Sequence, residues 1–159
     1  MASDGALSSP SAWRRAGLVA LVVVILDQWS KQLLRSSLAP GGQTQLLPGL
    51  KLIRTANTGA AFSLFTGSAG AVTILAVIVL VVLVAFFARN PSHALLWLPC
   101  GMIVGGALGN LIDRVRLGAV TDFIKLPDWP AFNLADSAIT VGVIALVLIL
   151  GRSGASSPG

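Results

Sequence analysis

The stretch from Ala69 to Ala88 carries no charged side chain over about 20 residues, enough to cross about 30 Å of hydrocarbon as a helix. In lipid a backbone has no water to bond, so a spanning segment must be a helix or part of a closed barrel. A barrel needs alternating segments of about ten residues, and these apolar runs are continuous and longer. Three further runs share the pattern: Ala16 to Leu26, continuing more weakly to about Leu34, then Ala94 to Ile112, then Leu134 to Leu150. Only 11% of residues are charged, against about 25% in a soluble domain, so most of the surface must face lipid. The expected fold is an all-α membrane protein of four transmembrane helices, near residues 14–34, 69–88, 94–112 and 134–150. They form one unit over 13–152, with disordered ends at 1–12 and 153–159.

Arg14 and Arg15 ahead of the first run resemble a signal-peptide start, but Pro40 follows the only plausible small-residue cleavage site, so the first helix is expected to be retained. Gly101, Gly105 and Gly109 recur every fourth residue, along one helical face, where they let a neighbouring backbone approach closely. Between the first two helices, Pro40-Gly41-Gly42 and Pro48-Gly49 are turn signals flanking Gln43–Leu47 and Leu50–Arg54, which predicts a small β-rich segment on the membrane surface. Residues 113–133 form the second long connection.

Composition also excludes chemistries. The net charge of +5 is scattered at the ends of apolar runs, where Lys and Arg snorkel to lipid phosphates, rather than clustered as in a nucleic-acid footprint. All six acidic residues are Asp, so there is no H-E-x-x-H zinc site, and one His with one Cys cannot complete a zinc site. Cys100 lies inside an apolar run and reads as a buried, inert thiol.

The carboxylates carry the functional signal. Four spans of alternating direction put Asp113, Asp122, Asp128 and Asp136 on the long-loop side, with Asp27 about two turns inside the first helix from that same side. Carboxylates at or below a membrane surface are costly unless paired or wet, and read as functional. Two of them brought together would share a proton and could act as an aspartic-protease pair, although the spacing alone does not say which two. Asp27 and Lys31, at i and i+4, read first as an ion pair. Asp113-Arg114 reads equally as an interfacial anchor or a substrate clamp. A small proton-coupled transporter is the alternative, weakened by the absence of a repeat and of polar groups near the midplane. A non-catalytic anchor would explain the glycine face but not the gathered aspartates. A serine peptidase would need His93, which falls on the opposite side.

Five motifs, in order, resemble lipoprotein signal peptidase, also called signal peptidase II. They are Asp27-Gln28-Trp29-Ser30-Lys31, Asn57-Thr58-Gly59-Ala60-Ala61-Phe62-Ser63, Gly105 to Arg114, Val120-Thr121-Asp122-Phe123 and Phe132-Asn133-Leu134-Ala135-Asp136. Each is weak by itself; together they span about two-thirds of the chain. The resemblance implies an intramembrane aspartyl endopeptidase of the bacterial cytoplasmic (inner) membrane, working as a monomer with both termini cytoplasmic. It implies extracytoplasmic segments at 35–68 and 113–133 and cleavage of prolipoproteins before a diacylglyceryl-modified cysteine. By motif matching, Asp122 and Asp136 would be catalytic. Asn57, Asn110, Arg114 and Asn133 would orient substrate or hold the pair, and Asp27, Lys31, Asp113 and Gly59 would support the fold. No metal or organic cofactor is implied, and the partners are lipidated precursors and membrane lipids, not nucleic acid. One feature runs against this orientation: the long-loop side carries the larger number of Lys and Arg, opposite to the positive-inside rule.

Overall fold

The computed structural model describes residues 9–59, 69–90 and 95–155. Within them lie four helices, α1 (Ser9–Ser37), α2 (Ala69–Arg89), α3 (Trp97–Leu117) and α4 (Leu134–Ala155), and three strands, β1 (Gln43–Leu47), β2 (Leu50–Asn57) and β3 (Val120–Lys125). Two helical stretches, Pro10–Ser37 and Leu134–Arg152, are long and apolar enough to cross a membrane, and Thr73–Arg89 is a shorter apolar stretch. Their outward faces are apolar: Leu18, Leu21 and Ile25 on α1, Ile74, Ile78 and Val81 on α2, and Ile144, Val147 and Leu148 on α4 are all exposed. Apolar faces of that extent are stable only against lipid or another apolar partner.

Helix α3 is the hub, packed mainly on α1 and α4 and less on α2. Its glycines explain how. A Cβ on Gly101 would sit 2.6 Å from the Ala16 carbonyl oxygen, and one on Gly105 would sit 2.7 Å from that of Ala20. Ala16 and Ala20, also four residues apart, are the buried positions of α1 that face them. On the other side, a Cβ on Gly106 would meet the Ala135 carbonyl oxygen at 2.5 Å. Small residues thus bring three backbones together: the glycine spacing predicts the approach of one neighbour, which is α1, and Gly106 adds that of α4. Gly105→Ala is expected to cost about 1–3 kcal/mol by forcing α1 from α3. Gly17→Ala, whose Cβ meets nothing within 4 Å, should stabilise by up to about 1 kcal/mol. Unfolding titrations of both variants in detergent check the opposite signs.

The helix ends differ from expectation. Residues 9–12, expected to be disordered, already belong to α1, because Ala12 is buried against Phe87, Leu96 and Cys100 and Trp13 packs edge-on against Phe87 at 4.7 Å. Helix α4 likewise continues past residue 152 to Ala155. Helix α3 begins at Trp97 rather than residue 94 and runs through Asp113 and Arg114, which are therefore helical and not part of a loop. It stops at Gly118, whose left-handed backbone (φ 74°) lets its N–H reach the Arg114 carbonyl.

The sheet is larger than the sequence predicts. β1 and β2 form the expected hairpin around Pro48-Gly49, with Gly49 at φ 79° where the turn requires a positive angle. But the β structure is not confined to the connection between the first two membrane runs. β3, from the second connection, adds antiparallel to β2 in the order β1-β2-β3, pairing Thr55 with Asp122 and Asn57 with Val120. This third strand carries Asp122 into position.

Candidate active site

The site is built on the first turn of α4. Asn133 precedes the helix, and its Oδ1 accepts the Asp136 backbone N–H at 2.9 Å while Asp136 Oδ2 accepts the Asn133 N–H at 3.2 Å. This reciprocal capping box satisfies two donors that a helix start leaves open. A third, Ala135 N–H, donates to Asp27 Oδ1 at 3.0 Å. The free end of the Asn133 amide then reaches outwards: Nδ2 donates to Asp122 Oδ1 at 2.7 Å. One asparagine therefore holds both carboxylates, and it is wholly buried.

Each carboxylate has a second amide. Asn57 Nδ2 donates to Asp122 Oδ2 at 2.9 Å, and Asn110 Nδ2 donates to Asp136 Oδ1 at 2.7 Å. Asn57 is itself fixed by Gly59, whose N–H donates to Asn57 Oδ1 at 2.8 Å and whose φ of 80° suits glycine. Burial raises the Asp122 pKa above the ordinary carboxylate value, partly opposed by the Asn57 hydrogen bond, with the Asp136 charge raising it further and Asn133 and Lys31 lowering it. Asp136 is less enclosed and borders a groove of about 520 Å³, lined mainly by Leu126, Trp129, Phe132 and Val141.

Behind the pair lies a buried charge cluster. Lys31 Nζ sits 2.8 Å from Asp27 Oδ2 and 3.4 Å from Asp113 Oδ2, and donates to Asn110 Oδ1 at 2.9 Å. Asp27 and Lys31 thus form the ion pair their spacing predicts. Asp113 also accepts the Thr121 N–H at 2.9 Å, which pins β3 to α3. Gly109 leaves room for Asp27: a Cβ there would come within 2.6 Å of Asp27 Oδ2.

Nine of the ten residues singled out from the sequence are in or against this one network. Arg114 is the exception: it is partly buried, and among the described residues its guanidinium makes no hydrogen bond or ion pair. Asp128 stands apart on an exposed turn at φ 56°. His93 and the stretch from Ala60 to Ser63 lie outside the described residues. Three participants escape sequence reasoning. Gln28 donates to Asp27, to the Gly109 carbonyl and to Asp113, Arg35 lies 3.7 Å from Asp113, and the Thr121 backbone holds Asp113. Gln28 and Thr121 sit inside motifs, which is the one signal that could have found them. Among the described residues no group of three or more His, Cys, Asp or Glu could hold a metal ion.

Two carboxylates tied to one asparagine, one deeply buried and one facing an apolar groove, on a helical protein with lipid-facing surfaces, define a class: a membrane enzyme equipped for acid–base hydrolysis. The family described as signal peptidase (SPase) II matches residues 19–151. Similar chains include a lipoprotein signal peptidase of Syntrophomonas wolfei, 46% identical over 131 residues, covering 82% of this chain and 88% of that one. Another, from Dehalococcoides mccartyi, is 43% identical over 131 residues, covering 79% and 82%. Two solved structures described as bacterial membrane enzymes superpose with TM-scores of 0.78 and 0.81 at 35% and 34% identity, covering 85% and 90% of this chain and 91% of each of theirs. This chain belongs to the signal peptidase II family.

Proposed function

We propose that the chain removes the signal peptide from bacterial prolipoproteins by cutting before the diacylglyceryl-modified cysteine, with Asp122 and Asp136 as the catalytic pair. Membership of a peptidase family sets the transporter alternative aside. The observation that carries the assignment of the pair is the shared Asn133, bonded to both carboxylates beside an apolar groove.

The chemistry follows from the asymmetry of the two environments. Asp122, buried and with a raised pKa, holds the shared proton, and Asp136 is the base. Asp136 takes a proton from water as the water oxygen bonds the scissile carbonyl carbon, and Asp122 gives its proton to the carbonyl oxygen. Collapse of the tetrahedral intermediate breaks the C–N bond. The amine of the lipidated cysteine leaves with a proton from Asp136, and a hydroxyl of the intermediate returns one to Asp122. Arg114, in the last turn of α3 and without a partner among the described residues, is the candidate clamp for substrate carbonyls, and Asn57 lines the approach. The groove beside Asp136 offers apolar walls for the substrate at the cleavage point.

Residues 13–152 act as one peptidase unit, a monomer in the cytoplasmic membrane. Four helices span the membrane, both termini are cytoplasmic, and the sheet and carboxylate pair lie near the extracytoplasmic face. The apolar outer faces of α1, α2 and α4 and the collection of polar side chains at one end of the bundle support that arrangement.

Purified protein in detergent, given a diacylglyceryl-modified precursor, should release a product beginning at the lipidated cysteine, read by mass spectrometry. The rate should fall on the alkaline side, because raising the pH through the elevated Asp122 pKa removes the acid. The alkaline limb should therefore lie above the ordinary aspartate pKa of about 4. A rate that already falls as the pH rises through about 4 would overturn the assignment of Asp122 as proton donor.

A further inference from the structure

A second cavity, of about 380 Å³ and walled by two arginines, lies between the end of α1, strand β2 and the turn after α3. Its lining includes Arg35, Arg54, Thr55, Leu117 and Thr121. Thr121 and its cross-strand partner Ala56 both line it, and their side chains leave the face of the sheet opposite to that of Asp122, the next residue in β3. We propose that this cavity seats the phosphate headgroup of an anionic phospholipid.

The charge balance favours an anion. Arg54 has no carboxylate partner among the described residues; one of its amino groups, NH1, donates to the carbonyls of Arg35 and Leu38, holding the end of α1 and leaving its other donors for a ligand. Arg35 donates to Thr121 Oγ1 and lies 3.7 Å from Asp113, a carboxylate already shared with Lys31 and the Thr121 N–H. Both guanidiniums are partly buried, where a charge-assisted bond to phosphate is stronger than in open water. The position favours a lipid over a free ion. Leu117 on the cavity wall is about half exposed, and Pro40, Ala56 and Ala119 complete an apolar wall beside the cationic floor. A headgroup in the cavity would leave its acyl chains against the apolar face of α1. Such a seat also accounts for basic residues on the side where the positive-inside rule does not place them.

The test is native mass spectrometry of the full chain in detergent with equimolar phosphatidylglycerol and phosphatidylcholine, a readout independent of cleavage. One phosphatidylglycerol should be retained in preference to phosphatidylcholine. Arg35→Gln and Arg54→Gln should each weaken that binding about tenfold. Arg54→Lys, which keeps the charge, should retain the preference, separating loss of the seat from loss of the fold. Lys51→Gln with Lys125→Gln, cross-strand neighbours elsewhere on the sheet, should leave it unchanged. Equal retention of the two lipids, an undiminished preference in both glutamine variants, or an equal loss in the lysine variant would each overturn the proposal. So would inorganic phosphate binding with the same arginine dependence and displacing the lipid, which would make the cavity a free-anion site.

Discussion

Asp122→Asn and Asp136→Asn should each lower cleavage of a lipid-modified precursor by about 10³-fold, the scale of losing a positioned general acid or base. Both side chains keep their size, so the loss should come without loss of fold. The accompanying structural cost differs between them. Asp136 accepts from the Asn110 amide and the Asn133 N–H, so an asparagine there turns an NH₂ group against one of two donors, costing about 1 kcal/mol. Asp122 faces two amide donors as well, but burial already disfavours its charge. Because its folded pKa is raised, the ionised form weakens the fold above that pKa, and a neutral replacement removes the penalty. A sharp thermal transition with abolished cleavage is the expected result for both. Near-normal turnover by either variant would mean that the pair has been wrongly chosen.

The second large effect concerns Lys31→Met. Lys31 and Asp27 are completely buried and Asp113 nearly so. Removing the ammonium leaves Asp27 with no cation and Asp113 with Arg35 alone at 3.7 Å. Stranding a buried charge in this way costs about 3–5 kcal/mol. Adding Asp27→Asn to Lys31→Met should recover part of that loss, because the stranded charge goes with it, and a double-mutant cycle in detergent measures the coupling. Function should suffer in parallel. Lys31 donates to Asn110 Oδ1, which turns the Asn110 NH₂ group towards Asp136; without Lys31 only the longer bond from Asn133 Nδ2, at 3.2 Å, holds that oxygen. A loss below about 1 kcal/mol would show the cluster to be far wetter than its burial indicates.

This cluster shows how far local patterns reach. The i, i+4 spacing of Asp27 and Lys31 is enough to expect their ion pair, and the structure holds it at 2.8 Å. Nothing in the spacing indicates that Asp27 also accepts the Ala135 N–H, 108 positions away, or that Lys31 bonds Asn110, 79 positions away. The helix ends tell the same story. Asp113 and Arg114 look like the beginning of a loop because they are charged, yet α3 continues through them: Asp113 finds its partners on α1 and β3, so its charge does not oblige the chain to leave the bundle. Arg114, whose role was open between anchor and clamp, reaches no partner among the described residues. Strand β3 is hidden for a related reason. Residues Val120 to Phe123 are all buried, so the alternation of a half-buried strand is missing, and their pairing partner β2 lies on the far side of two helices in sequence.

What the amino-acid order determines alone is whatever depends on neighbours within a few turns. The apolar runs specify helices because lipid forbids unpaired backbone, the fourfold glycine spacing specifies the face of α3 that meets α1, and Pro48-Gly49 specifies the hairpin turn. The five motifs point to the family and, through it, to two aspartates. Only the tertiary structure brings Asp122, on a strand, against Asp136, at a helix start, through the buried amide of Asn133, and gives them unequal surroundings. Burial and hydrogen-bond direction belong to a volume assembled from α1, α3, α4 and the sheet. No segment of the chain contains that volume until the helices close around it.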